Sequence, residues 1–479
     1  MSAGRPGSGP ALRGGIGTTP PAGQTGQIAA EDLDDDRTIR RLVFNLAWPV
    51  IVENLLQTAV GVVDLLMVSR LGAAAIAGVG VSVQVLFVVF AAIMAIATGT
   101  TVLVSRFTGA NQPHDATRVL KQSILMAVAL GVFLAVVGVP SAKPLVALLG
   151  ADPDVVELGG GYLQVVFLTS IALTTTYILG AALRGAGDSR TPMYVAFGIN
   201  VVNVVVSYIL IFGELGFPAM GVVGSAWGSA VGRILGAVAL VVLVAHGVRR
   251  TGITLVGRQG WSPDPALLWR LLRIGLPSMA EGLSRSVGML LFSAIVISLG
   301  TAVFAAQRIT FNVISLSFLP GFGFAMAATA LTGQALGAGK PDRARRATWL
   351  SVRSAALWMS SMGVLFLIAA PWFMRVFTPD PEIVAIGAEA LRVMALGQPA
   401  VAVSFVLAGG LRGAGDTRFP MLNTTIGMWL IRLPLAWFFV SVLGWGLSGA
   451  YAAFVAGPFV EAVTAYLRYR SGNWQHLKV

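Results

Sequence analysis

The stretch that decides the fold is Leu42-VFNLAWPVIVENLLQTAVGVVDLLMVSRL-Gly72. A run this long and apolar predicts a membrane-spanning helix, yet it carries two acids, Glu53 and Asp64. A charge near a bilayer centre costs about 2.5–3.5 kcal/mol on insertion scales, so acids there are rare and usually functional. On a helix, Glu53, Gln57 and Asp64 fall within about 40° of one another, on one narrow stripe. Pro49, one turn below that stripe, removes a backbone hydrogen bond and gives the helix a place to bend. A bendable span with titratable acids facing inward suggests a device that couples protonation to movement. Burial makes a carboxyl group's charge state sensitive to its surroundings, so Asp64 is expected to load a proton outside and release it inside. The plainer alternative is a pair of buried acids neutralised by arginines elsewhere.

Composition extends that reading to the whole chain. Its 479 residues are 56% hydrophobic and only 11% charged, with mean hydropathy +0.80, which marks an integral membrane protein of many helices. There is no cysteine, which excludes disulfides, thiolate nucleophiles and cysteine metal sites. His114, His246 and His476 are scattered through expected loops and the tail, which argues against a histidine metal centre. The net charge of +12 belongs to membrane orientation and not to nucleic-acid binding, because of where the arginines fall.

Residues 1–38 lack an apolar core, end in the acidic run Glu31-DLDD-Asp36 and are expected to form a disordered cytoplasmic tail with no cleavable signal. Twelve apolar segments follow, near 42–69, 73–104, 117–139, 156–183, 192–213, 220–245, 267–299, 303–335, 346–370, 383–411, 420–442 and 447–468. Sorting Lys and Arg by alternating loops leaves only Arg70, Lys143 and Arg375 on one side, so both termini are expected in the cytoplasm. The segment Leu183-RGAGDSRTP-Met193 returns as Leu411-RGAGDTRFP-Met421, an offset of 228 residues. The same offset pairs Pro49 with Pro277, Glu53 with Glu281, Gly72 with Gly300 and Pro113 with Pro341. The expected organisation is therefore all-α and twelve-spanning. Two parallel six-helix bundles, 39–245 and 266–470, are joined by a basic linker at 246–265 and followed by a short tail at 471–479.

The Val63-Asp64 pair before Ser69-Arg70-Leu71-Gly72, the Gly109-Ala110-Asn111 turn and the doubled Leu-Arg-Gly-Ala-Gly-Asp segments resemble the multidrug and toxic compound extrusion (MATE) transporters. The likeness covers about residues 40–468. The acid in the first span and the run Pro320-Gly-Phe-Gly-Phe324 look more like the DinF-like branch than the NorM-like one. The resemblance implies a V of two bundles, alternately open to either side, and export of organic cations driven by H⁺ or Na⁺. It carries the coupling acid to Asp64 and the fifth-span polar motif to Asn200, Asn203 and Ser207. Several DinF-like members have an aspartate at the last of these positions, so the serine removes a second carboxylate. Where NorM-like members have a seventh-span glutamate, this chain has Arg285, which departs from a NorM-type sodium site.

Read as residues, Asn200, Asn203 and Ser207 share a helix face able to hydrogen-bond Asp64, although such groups also simply hold spans together. Arg233, Arg285, Arg308, Arg353, Arg392 and Arg432 lie within expected spans. Glu281 is the expected partner of Arg285, and Glu389 that of Arg392, within one helix turn. Arg308 is expected to reach a carbonyl or acid across the second bundle. Asp188 and Asp416 are expected to cap the next helix or pair with Arg190 and Arg418. Gly337-AGK-Pro341 is not a phosphate loop, since it lacks the spacing and the Ser or Thr. Gln57, Met67, Tyr177 and Phe292, with Phe167, Met289 and Phe322, are candidate pocket residues for flat cations.

These features converge on a monomeric antiporter in the cell inner (plasma) membrane. It is expected to export hydrophobic, mostly cationic small molecules in exchange for H⁺ or Na⁺, with no other cofactor and no nucleic-acid partner. Asp64 is the coupling acid, Glu53 a relay, and Pro49, Glu281, Arg285 and Arg308 set conformation. The alternative is a flippase for a lipid-linked precursor, kept alive by the in-span arginines. A membrane enzyme is disfavoured because no nucleophile and base, or metal ligands, cluster within the spans.

Overall fold

Proline and aspartate set where the helices start. The computed structural model describes residues 35–247 and 251–477, and among them there is no strand. The helices are α1 (Asp36–Ser69), α2 (Ala73–Gly109), α3 (Pro113–Phe133), α4 (Val139–Leu148), α5 (Pro153–Leu168), α6 (Ser170–Gly185), α7 (Arg190–Phe212) and α8 (Gly221–Ala245). After the linker come α9 (Pro265–Ile297), α10 (Thr301–Gly337), α11 (Pro341–Arg375), α12 (Pro381–Gly413), α13 (Arg418–Ile426), α14 (Leu433–Trp437) and α15 (Gly446–Arg470). Proline opens α3, α5, α9, α11 and α12, where its missing N–H costs nothing. The Asp35, Asp264 and Asp380 carboxylates accept bonds from first-turn amides. Gly72 and Gly300, 228 residues apart, enter α2 and α10 at φ of 104° and 105°, a conformation open to glycine.

Eleven helical stretches are long and apolar enough to cross a membrane, and α5 with α6 makes a twelfth span bent by 57°. The unbroken helix expected over 156–183 is thus corrected to two pieces meeting at Thr169. There the Thr169 hydroxyl donates to the Val165 carbonyl, while Ser170 Oγ reaches Phe167 O and Gly131 O of α3. Hydroxyls competing for the helix ladder, with no proline or glycine at the break, leave little mark in the sequence. Conversely, α1 runs continuously through Pro49. Most of the expected acidic tail, and Arg249, Arg250 and Lys478, lie outside the described residues.

The 228-residue repeat is written into the hydrogen bonds. Thr101 donates to the Ala181 carbonyl in the first half, and Thr329 to the Gly409 carbonyl in the second. One contact lacks a copy. Gly224, Gly228, Gly232 and Gly236 form a stripe on α8 against Leu210, Ser207 and Ile199 of α7. A glycine at every fourth position lets two membrane helices approach backbone to backbone. That stripe fixes the inward face of α7.

The halves meet near the arginine-rich end. Gly275 of α9 lies against Ala95 of α2, Gly99 against Leu271, Gly323 against Ala47 and Ile51, and Gly109 against Gln334. Arg106 donates to the Ala414 carbonyl at 2.9 Å, and Gln334 to the Gly185 carbonyl at 2.9 Å. Each half therefore reaches the Gly-Ala-Gly-Asp turn of the other. The linker is strapped to α3, where the Lys121 ammonium donates to Val256, Gly257 and Gln259 carbonyls.

Candidate functional site

Two faces of α1 divide its work. Leu55, Val62 and Leu66 are exposed and fall about 160–200° from Asp64, which places Asp64, Gln57 and Glu53 on the inward side. Asp64 is half-buried. Its Oδ2 accepts from Asn203 Nδ2 at 3.4 Å, and its Oδ1 is buried with no hydrogen-bond partner. Asn203 also donates to Ser229 Oγ at 3.0 Å, and Ser207 Oγ donates to Asn203 Oδ1 at 2.8 Å. Asn203 and Ser207 are buried, and Gly228 brings α8 directly onto Ser207. Arg233 of α8 acts on Asp64 through space, but among the described residues no ion pair ties the acid.

The structure thus brings together Asp64, Asn203 and Ser207. Asn200 stays half-buried outside this chain of hydrogen bonds. Ser229 was not anticipated, since a lone serine on an apolar helix has no pattern, although the glycine stripe beside it does.

Glu53 is corrected. It forms an ion pair with Arg184 at 3.2 Å, about 16 Å along the helix from Asp64, and is not in contact with it as a relay would be. Arg184, assigned to a loop by sequence, turns back from the last turn of α6. Gln57 donates to the Tyr177 hydroxyl at 3.2 Å on the same wall. Met67 is buried and lines a crevice of about 450 Å³ between α1 and α7, with Arg70 and Tyr208. Phe292 is also corrected. It is fully buried among Val296, Tyr451 and Phe454 in the core of the second half, so it faces no pocket.

In the second half, Arg285 donates to Glu281 Oε1 at 2.9 Å as the spacing predicted. The same oxygen accepts from Arg412 at 2.5 Å and from Thr424 at 3.4 Å. Arg412 sits 228 residues after Arg184, so the repeat itself carried the signal for both unanticipated partners. Arg308 does not cross the bundle; it is exposed, over the Phe304 ring. Arg392 reaches the Leu367 carbonyl and not Glu389. Asp188 caps α7 through Arg190 and Thr191, whereas Asp416 pairs with Arg468 of α15 and not with Arg418. Buried Arg432 and Glu461 face each other at 3.8 Å. Among the described residues no group of His, Asp and Glu is arranged to hold a metal.

Comparisons with known proteins fit this architecture. The chain is 32% identical to a probable multidrug resistance protein NorM of Thermotoga maritima, over 91% of this chain and 93% of that one. It is 27% identical to the multidrug resistance protein PmpM of Pseudomonas aeruginosa, over 89% and 90%. An outward-facing MATE-family transporter of the MOP superfamily superposes with a TM-score of 0.85 at 23% identity, covering 93% of this chain and 98% of that one. A Pyrococcus furiosus MOP-superfamily transporter described as having a binding pocket of reverse polarity gives 0.84 at 24%, with the same coverage. The DinF-like placement rests on the first-span acid and the Pro320 run alone. The MatE family model matches twice, at residues 49–209 and 277–438, and on that doubled match the chain belongs to the MatE family of multidrug and toxic compound extrusion transporters.

Proposed function

We propose that this chain exports amphiphilic, mostly cationic drugs in exchange for protons, with Asp64 as the coupling carboxylate. As a member of its family it is a membrane transporter and not an enzyme. The observation that carries the coupling role is the Asp64 carboxylate itself. It faces inward, holds one hydrogen bond from Asn203 and leaves Oδ1 buried without a partner. A group so placed accepts a proton without breaking an ion pair, and Asn203, Ser207 and Ser229 adjust around it. Proton and drug exchange when each binds a different conformation with different affinity.

The arginine-rich end, where the halves touch, is assigned to the cytoplasm of the inner (plasma) membrane, so this conformation opens outward and the monomer works alone. Gln57, Tyr177 and Met67 are the wall residues proposed to contact drug. Relatives named for multidrug resistance favour drug export over a lipid-linked flippase. Ethidium efflux from proteoliposomes tests the coupling ion. An imposed pH gradient alone is expected to drive efflux, and efflux that needs a sodium gradient and ignores pH would overturn the proton reading.

A further inference from the structure

We propose that Arg285 forms a subsite for an acidic group, so that this exporter also takes aromatic amphiphiles bearing a carboxylate. The proposal rests on the exporter reading and adds a substrate class to it. Along α9 the exposed aliphatic residues Leu276, Val287, Leu290 and Leu291 fall about 140–240° from Arg285, whereas buried Glu281 and Phe292 lie within about 40° of it. The guanidinium therefore projects from the inward face, yet its side chain remains 36% exposed. Gly282, less than one turn earlier, still packs on Ala91 of the first half. Arg285 consequently sits where the two halves begin to separate, at the floor of the opening.

Its charge is not cancelled. Glu281 offers one carboxylate oxygen to both Arg285 and Arg412, and the neighbouring Arg432 and Glu461 offset each other. Three guanidiniums face two carboxylates, an excess of one positive charge. The matching wall of the first half has no such excess. Glu53 and Arg184 balance, and the residue 228 positions before Arg285 is the neutral Gln57. Phe405 lies under the Arg285 guanidinium at 5.8 Å and Phe322 is 4.9 Å from Phe405. A flat ring carrying a carboxylate finds both its apolar and its charged contact there, and a guanidinium fork suits a carboxylate.

The test is equilibrium binding to the purified full chain of a rhodamine with a free carboxylate and of the methyl ester of the same dye. Wild type is expected to bind the acid about tenfold tighter than the ester, the value of one charge-assisted hydrogen bond. Arg285→Gln is expected to erase that preference while leaving ester affinity unchanged, and Arg285→Lys to retain most of it. Equal binding of acid and ester by wild type would overturn the subsite, as would an Arg285→Gln protein that loses both dyes alike. Efflux of the acid from proteoliposomes is then measured separately. Tight, Arg285-dependent binding without efflux would count against the exporter reading and leave the subsite standing.

Discussion

The two halves share a skeleton and differ in chemistry. Glu53 with Arg184 and Glu281 with Arg412 are the same ion pair 228 residues apart, and both Gly-Ala-Gly-Asp turns receive a donor from the opposite half. Asp64 is matched by Phe292, Asn203 by Ile431, Ser207 by Leu435 and Ser229 by Gly457. The polar site of the first half is an apolar core in the second. The α8 glycines Gly224, Gly228, Gly232 and Gly236 are matched by Ala452, Ala456, Val460 and Thr464. Along with that bulk, the span of α13 and α14 carries two wide π-helical turns, while α7 is regular. Repetition built the frame, and side-chain volume and polarity gave each half its task.

Breaking the shared ion pairs should have the largest effect, and unequally. Glu281→Gln leaves two guanidiniums without their carboxylate, and thermal unfolding in detergent should register a loss of about 3–5 kcal/mol. Glu53→Gln removes a more exposed pair and should lose roughly 1.5–3 kcal/mol. Equal losses would remove the distinction between a shared and a simple pair. Next in size, Gly228→Ala gives the first half the residue of the second. A methyl there meets Ser207 backbone atoms, and the expected cost is about 1–3 kcal/mol with Ser207 displaced. Ala456→Gly, at the matching place, should do much less. The smallest effect belongs to Ser229→Ala, which removes one interhelical hydrogen bond worth about 0.6 kcal/mol. Its melting temperature should hardly move while the pH profile of efflux shifts, separating tuning of Asp64 from structural support.

What the sequence made legible follows helical period. The spans, the repeat, the inward stripe of α1 and the Glu281–Arg285 pair depend on spacing within one helix, and each emerged near its expected place. The face shared by Asn203 and Ser207 was legible for the same reason. Partners chosen by packing between helices were not. Nothing local shows that Arg184 folds back to Glu53 or that Asp416 prefers Arg468 to Arg418. An aromatic residue on an inward face reads alike whether it lines a cavity, as Phe322 does beside Phe405, or fills a core, as Phe292 does. The break at Thr169 stayed hidden because hydroxyls, not proline or glycine, make it.

The central claim is that one carboxylate in α1 couples proton entry to export. Asp64→Asn keeps the side chain's size and its neighbours but cannot take up a proton. In proteoliposomes with an inward proton gradient, the account predicts that this variant still binds ethidium but no longer moves it against its gradient. Uphill efflux by Asp64→Asn at the wild-type rate would contradict it.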